Sequence, residues 1–311
     1  NRDDSPTGII LIKGGREQTK YRNVTLDVLA FDAIGNTVNQ MSFMNAGGAW
    51  SPWEAYKRTK SWTLPSGDGI KKVWARFKDK NGRVTAVSDK IILDTRSPSA
   101  SVKTPFISVR TARNSRFKVK WSGRDPRVSS GIASYQVQVK APGTKWRTWR
   151  KTSRQASWFS GYQGRIYVFR VRARDRAGNV GRYSSAKKTV VPYDDNRRVR
   201  SREGFDHKVY ARNSRHYKGT VRYSTVAGDK ITYSFAGRAV YLISTKAADR
   251  SKAKIYLDGK YTRIINTYSE NTKYRKIVFQ KRWKKNNKHT ITIENIGNRD
   301  RLDIDGIAVV K

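Results

Sequence analysis

The apolar residues of this chain occur in short stretches between turn residues, and no stretch keeps the period of about 3.6 residues that marks an amphipathic helix. Five such stretches predict β-strands at residues 9–12, 24–29, 41–43, 72–77 and 90–93. Glycine-rich turn sequences such as Gly14-Gly15 and Asn81-Gly82 separate them. Strands at this spacing without an intervening helix predict an antiparallel β-sandwich.

A gap-free internal repeat relates the first part of the chain to the second, at an offset of 96 residues. The repeated pairs are Trp50 and Trp146, Trp53 and Trp149, Trp62 and Trp158, Asp79 and Asp175, Gly82 and Gly178, Val84 and Val180, and Ser88 and Ser184. A constant offset predicts the tandem duplication of one module of about a hundred residues. We expect each repeated tryptophan to fill the same core position in both modules. A stacking platform for sugar rings or bases is the alternative.

Strict alternation in the second copy predicts which side chains face the core. Phe117, Val119 and Trp121 are expected on one side of a strand, and Lys118 and Lys120 on the other. The longest predicted strand of this copy, residues 167–174, directs three arginines outward, Arg170, Arg172 and Arg174.

The third segment does not repeat the first two. Its pattern predicts strands at residues 220–224, 231–235, 239–243, 253–257, 261–265, 275–280, 290–294 and 304–310, with a hairpin turn at Asp258-Gly259. About eight strands without a helix predict a jelly roll. The chain is therefore expected to be all-β, with immunoglobulin-like sandwiches at residues 1–97 and 98–194 and a jelly-roll sandwich at residues 195–311.

The charge of the chain is its most unusual property: 66 basic against 24 acidic residues, a formal net charge of +42. Residues 1–97 carry 16 basic and 10 acidic side chains, residues 98–194 carry 22 and 3, and residues 195–311 carry 28 and 11. An excess of this size attracts polyanions with a strength that falls as salt rises. A generally basic surface that serves solubility is the alternative.

The residues offer little for catalysis or for a cofactor. No cysteine is present, which excludes disulfides and thiolate chemistry, and the histidines His207, His216 and His289 lack the spacing of a metal-binding pair. Ser115 and Lys118 fit a Ser-x-x-Lys pattern, but at the start of a strand rather than on the helical turn that this pattern needs. The carboxylates in the sequence Asp303-Ile304-Asp305-Gly306 are too few for the six to eight ligands of calcium. We therefore expect a protein that is not an enzyme and has no cofactor.

The outward arginines are the best candidate site. Residues two apart on a strand are separated by about 6.5 to 7 Å, a spacing close to that of charges on an extended polyanion. The neighbouring strand is expected to add Gln136, Gln138 and Lys140 to the same face, while Lys118 and Lys120 lie on the opposite sheet. A solvated strand face that discourages edge pairing is the alternative.

A second candidate is a basic loop with one exposed aromatic residue, which suits anionic polymers but also resembles an ordinary hairpin tip. Its residues are Lys281, Arg282, Trp283, Lys284 and Lys285.

Two resemblances add to this interpretation. The Trp-x-x-Trp pairs and the closing sequence at residues 175–180 resemble fibronectin type III or bacterial immunoglobulin-like modules. The sequences at residues 254–259 and 303–306 are similar to those of galactose-binding-like jelly rolls found in secreted bacterial proteins. The resemblances imply a secreted, accessory and non-catalytic role, although the charge of this chain departs from such modules.

The function expected from these observations is multivalent, extracellular binding of wall polymers, acidic polysaccharide or extracellular DNA through cationic sheet faces. One alternative is a structural subunit of a surface filament or matrix, which would assemble with a counter-polymer. Another is the carbohydrate-targeting region of a larger secreted hydrolase.

Overall fold

The computed structural model describes residues 5–32, 37–109, 115–126, 129–209, 215–297 and 300–311. Within these ranges the regular structure is β-strand, apart from one 3-10 turn at Tyr217–Gly219. The predicted all-β fold class is confirmed. Among the described residues, no helix is long and apolar enough to cross a membrane.

The first sandwich contains eight strands that form a three-stranded sheet, β1-β3-β6, and a five-stranded sheet, β2-β8-β7-β4-β5. The strands are β1 Thr7–Ile12, β2 Gln18–Thr19, β3 Asn23–Phe31, β4 Val38–Asn45, β5 Glu54–Ala55, β6 Thr59–Thr63, β7 Gly69–Asp79 and β8 Val84–Leu93. Alternation along β3 turns Val24, Leu26 and Val28 inward, where they pack against Phe43 and Phe77 of the facing sheet.

The second sandwich contains seven strands in a three-stranded sheet, β13-β10-β9, and a four-stranded sheet, β12-β11-β14-β15. The strands are β9 Ser99–Lys103, β10 Arg116–Arg124, β11 Ile132–Lys140, β12 Arg147–Thr152, β13 Ala156–Ser160, β14 Ile166–Asp175 and β15 Lys187–Val190. The predicted alternation is confirmed, because Phe117, Val119 and Trp121 are buried while Lys118 and Lys120 are exposed.

The third sandwich places a seven-stranded sheet against the three-stranded sheet β18-β19-β24. The larger sheet has the order β16-β25-β20-β23-β21-β22, with β17 also paired to β20. The strands are β16 Tyr193–Asp194, β17 Val199–Glu203, β18 Asp206–Val209, β19 Thr220–Ser224, β20 Lys230–Lys246, β21 Lys252–Leu257, β22 Lys260–Asn266, β23 Lys273–Asn295, β24 Leu302–Ile304 and β25 Gly306–Val310. Asp258 and Gly259 have φ values of 51° and 79°, so the predicted tight hairpin between β21 and β22 is confirmed.

Two long strands of the third sandwich correct the sequence-based prediction. Residues 231–235 and 239–243 belong to the single strand β20, and residues 275–280 and 290–294 belong to β23. The two strands pair along most of their length, and a bulge after Gly237 absorbs the extra residues of β23. A Cβ at Gly237 would lie 2.5 Å from a side-chain atom of Val309. Only glycine fits this close approach, and β20 continues through Gly237 where two separate strands were predicted.

Trp62 and Trp158 do not occupy equivalent positions, so the expectation that each repeated tryptophan fills one shared core slot is wrong for this pair. Trp62 pairs with the buried Val24 and packs against the first core, whereas Trp158 pairs with the exposed Lys118 and is 43% exposed. In the second module Phe159, one residue later, points inward instead. A shift of one residue reverses the faces of a strand because its side chains alternate.

An apolar cluster joins the second and third sandwiches. Its buried members are Ile107, Ile166, Val190, Ala239, Tyr241, Ile243, Ala308 and Val310. Phe106 also packs edge-on against Tyr241, with ring centroids 5.6 Å apart. Because the cluster draws side chains from both sandwiches, it holds them in one relative orientation.

Candidate polyanion-binding face

The outward arginines of β14 lie on the solvent face of the four-stranded sheet. Arg170 and Arg172 are opposite Gln138 and Gln136 of β11, and each arginine Nε donates a hydrogen bond to the glutamine Oε1 facing it, at 2.8 and 2.9 Å. These bonds hold the guanidinium groups at the sheet surface. The geometry brings together the two strands expected to share this face.

Aromatic rings clamp the same cations. The Cζ atom of Arg170 lies 4.2 Å from the ring centroids of both Trp146 and Tyr183, and Arg172 lies 4.7 Å from Tyr183. The Lys140 ammonium is 4.9 Å from the Trp146 ring. Each cation–π contact stabilises by about 0.5 to 2 kcal/mol. We call this set of five residues, Lys140, Trp146, Arg170, Arg172 and Tyr183, the cationic ladder.

The ladder leaves positive charge exposed to ligands. Among the described residues, Arg170 and Arg172 form no ion pair, and both are partly exposed. Arg174 is exposed at the end of the row and lacks an aromatic clamp among the described rings. A clamped guanidinium has already lost much of its rotational freedom, so binding an anion costs it less entropy.

The first sandwich contains a related ladder. The Cζ atom of Arg76 lies between Trp50 and Trp53, 4.5 and 4.3 Å from their ring centroids, and Lys78 lies 4.4 Å from Trp53. Neither this role of the Trp-x-x-Trp tryptophans nor the contact of Tyr183 with the arginines was predicted from the sequence. The sequence signal that could have revealed this role is the repeat itself. Trp50 and Trp146 recur at the same position of the repeat, and in each copy a neighbouring strand carries outward cations.

The remaining predicted residues lie elsewhere. Lys118 and Lys120 are on the opposite sheet of the second sandwich, as expected. The basic loop of residues 281–285 is instead part of β23, which corrects that prediction. Trp283 packs against the third core and stacks on His289 with centroids 4.0 Å apart, so it is not an exposed aromatic.

The other members of this basic segment are exposed. They are Lys281, Arg282, Lys284 and Lys285. Arg282 donates hydrogen bonds from Nε and Nη2 to the Tyr241 hydroxyl, at 3.2 and 3.0 Å. The segment is thus an exposed cationic strand rather than a loop that presents an aromatic ring.

In the described part of the chain, the histidine and the serine considered for catalysis both contact neighbouring side chains. His289 Nδ1 lies 2.7 Å from Asp258 Oδ2, and its Nε2 is buried with no hydrogen-bond partner among the described residues. A histidine oriented by a carboxylate still needs a nucleophile within reach. Ser115 is buried, 3.4 Å from the Tyr217 hydroxyl, whereas Lys118 faces solvent.

Asp303 and Asp305, where we considered calcium, are used in protein contacts. Asp303 accepts from the Arg250 and Arg301 side chains, and Asp305 Oδ1 accepts the Tyr217 N–H at 2.7 Å. Both aspartates are fully buried. These contacts occupy both carboxylate oxygens of Asp303 and Oδ1 of Asp305, whereas Asp305 Oδ2 is buried with no hydrogen-bond partner among the described residues.

Another carboxylate trio lies at the joint between the first two sandwiches. Oxygens of Asp94, Asp125 and Asp175 all lie within 4.8 Å of one another, which is close enough to share a cation. Asp94 Oδ2 also accepts the N–H and hydroxyl of Ser130, both at 2.7 Å, and the Asn179 amide donates to the Asp94 carbonyl at 2.8 Å. The trio therefore belongs to a buried polar clasp that connects the two sandwiches.

Comparison with known proteins gives limited likenesses. No protein-family model matches this chain, and no curated protein sequence matches it. Among solved structures, the fibronectin(III)-like modules of Clostridium thermocellum CbhA have a TM-score of 0.38 and 13% identity, with 59% of this chain and 93% of that chain covered.

Two further similar structures are a rhamnosidase and an esterase. An alpha-L-rhamnosidase from Dictyoglumus thermophilum has a TM-score of 0.38 and 15% identity, with 70% of this chain and 28% of that chain covered. A two-domain esterase active on acetylated mannans has a TM-score of 0.32 and 15% identity, with 39% of this chain and 36% of that chain covered. This chain spans about a third of the length of either enzyme.

Proposed function

We propose that this protein is a non-catalytic, extracellular binding protein that holds anionic polysaccharide or wall polymer at a bacterial surface. The observation that carries the proposal is the cationic ladder, in which Arg170 and Arg172 are clamped by rings and glutamines on an open sheet face. Rings and amides orient these cations and neutralise none of their charge.

The geometry of the ladder suits an extended polyanion. Arg170 and Arg172 are two residues apart on β14, which separates them by about 6.5 to 7 Å. Guanidinium groups bind carboxylate and phosphate through paired hydrogen bonds. The ladder of the first sandwich and the basic third sandwich add further weak contacts along the same chain, and linkage of the sandwiches raises the total avidity.

We also propose a division of the chain into domains at residues 1–97, 98–194 and 195–311, the last a galactose-binding-like jelly roll. Strand pairing supports this division, because each sheet falls within one segment except that β16, Tyr193–Asp194, pairs with β25. A role for such a jelly roll would be to add binding surface to the ladders.

Replacing the ladder arginines tests the proposal. In the full chain, Arg170→Gln with Arg172→Gln should weaken binding to polygalacturonate about tenfold and lower the slope of log K against log salt by about two, since two charge contacts are lost. Isothermal titration calorimetry over a series of salt concentrations measures both quantities.

The matched control is Arg16→Gln with Arg58→Gln, which removes the same charge from exposed sites in the first sandwich. Arg170→Lys with Arg172→Lys should recover part of the affinity, because charge returns without the planar fork. Unfolding temperatures establish that each variant is folded. Equal losses in the ladder and control variants would contradict the proposal, as would salt-independent binding of a neutral glycan.

A further inference from the structure

A groove of about 810 Å³ lies where the second and third sandwiches meet. One wall belongs to β9 and β10 of the second sandwich, and the other to the start of β23 in the third. The groove is on the sheet opposite the cationic ladder. Its volume falls within the range of pockets that bind ligands larger than a single ion.

The walls of the groove are strongly cationic. Five of its described lining residues are basic and none is acidic: Lys103, Lys118, Lys120, Arg275 and Lys276. Lys103 and Lys120 are directly opposite each other on adjacent antiparallel strands. Like charges in that relation destabilise a sheet, so an anion between them would relieve a local repulsion.

The third-sandwich wall is shaped by a β-bulge. Ser244 pairs with Lys276 and Lys246 with Lys273, so two residues of β23 oppose one residue of β20. The first of the two is Tyr274, and the second, Arg275, has a φ of 55°, a left-handed conformation that costs a non-glycine residue about 1 kcal/mol or more. The bulge changes the direction of both side chains at the place where they line the groove.

The two walls are held in a defined relation by the apolar cluster between the sandwiches. Ile107 lies in that cluster and also lines the groove, and it bridges in parallel to Val190 of β15. Tyr241 of β20 is 2% exposed in the same cluster. The groove is therefore formed before a ligand arrives, which reduces the entropy lost on binding.

The apolar residues on the floor of the groove favour one class of polyanion over another. Ile107, Val109 and Tyr274 give it apolar surface between the cations, which suits carbon units placed between charges. A nucleic acid would need open aromatic faces for its bases. Tyr274 instead has His216 edge-on at 5.2 Å and the Arg215 cation at 5.8 Å.

We propose that this groove binds a segment of a polymer of polyol units joined by phosphodiesters, with lysines of both walls as phosphate ligands. Four of its five cations are lysines, whose compact ammonium groups bind phosphate as point charges. The inference deepens the proposed function and names the class of polymer. It concerns a different face from the cationic ladder, so the two proposals can fail separately.

Calorimetry of the full chain with a short glycerol-phosphate oligomer tests this inference, with oligogalacturonate and oligothymidylate of equal charge for comparison. The glycerol-phosphate oligomer should bind at least tenfold more tightly than the other two. Lys118→Ala with Lys120→Ala should reduce its affinity about tenfold, and Lys276→Ala on the opposite wall should reduce it several-fold, because each removes phosphate contacts. Hydrogen exchange should show protection of both β10 and the start of β23.

The charge-matched control is Lys57→Ala with Lys80→Ala, at exposed positions of the first sandwich. The ladder variant Arg170→Gln with Arg172→Gln should bind this oligomer nearly as the parent does, even if it loses polygalacturonate. Equal losses of affinity in the groove variants and the control variant would overturn the proposal that the groove is the binding site. Tighter binding of oligogalacturonate or oligothymidylate would overturn the phosphodiester assignment, and a ladder variant that keeps polygalacturonate binding would instead overturn the proposed function.

Discussion

Replacing Trp149 by alanine should lower the free energy of unfolding of the second sandwich by about 3 kcal/mol. The Trp149 ring centroid lies 5.2 Å from Phe159, 5.7 Å from Phe169 and 6.1 Å from Trp121, so truncation leaves a cavity among three large aromatic side chains. Chemical denaturation followed by fluorine NMR of fluorotryptophan-labelled protein measures the change. The Trp121 resonance reports the second sandwich, and that of Trp62 reports the first.

The repeat supplies the control. Trp158→Ala removes the same side chain from a position that is 43% exposed and should cost less than about 1 kcal/mol. If the tryptophans filled repeated core slots, Trp62→Ala and Trp158→Ala would destabilise their sandwiches equally. That result, or a small effect of Trp149→Ala, would contradict the packing described above.

Replacing Asp194 by asparagine should stabilise the third sandwich relative to the parent as pH rises. Burial, then repulsion from Asp195, raises the pKa of Asp194 from 3.8 to about 6, while a hydrogen bond from Thr220 lowers it. A raised pKa means that the protonated form favours folding. The stabilisation of the folded state by protonated Asp194 is complete below the unfolded pKa of 3.8 and is lost as the pH rises through about 6.

The size of the effect follows from that difference in pKa. Between about pH 4 and about pH 8, the unfolding free energy of Asp194→Asn relative to the parent should rise by about 2 kcal/mol. Fluorotryptophan NMR at Trp283, the one tryptophan of residues 195–311, follows the third sandwich during denaturation. A difference that does not change with pH would show that Asp194 titrates normally in the folded protein.

His216 provides a control of opposite sign. Burial is the main cause that lowers its pKa from 6.5 to about 4, with Arg301, Arg250 and Arg275 acting in the same direction and Asp303 against it. A neutral histidine therefore favours folding above pH 6.5, and this contribution is lost as pH falls towards about 4. His216→Gln should gain stability relative to the parent on acidification, whereas Asp194→Asn should gain it on alkalinisation.

Local patterns allowed much of the fold to be predicted. Side chains alternate along a strand, so the sequence alone placed Arg170 and Arg172 on an outer face and Lys118 and Lys120 on another. The Asp258-Gly259 turn could be predicted for the same local reason, because its backbone needs φ values that these two residues tolerate.

The candidate sites depended on contacts between distant segments. Tyr183 lies outside β14 and β15, yet its ring contacts Arg170 and Arg172. Nothing in its own neighbourhood of the sequence predicts that contact. The groove likewise needs β10 and β23 to meet, which depends on the apolar cluster around Tyr241.

By itself, the sequence determined the all-β class, the repeated module, the faces of the short strands and the excess of positive charge, because each follows from composition or from a period of two residues. The tertiary structure decided which tryptophans are core residues, how far β20 and β23 extend, and which cations share a surface. These depend on register and on packing between sheets, where a shift of one residue exchanges inside for outside.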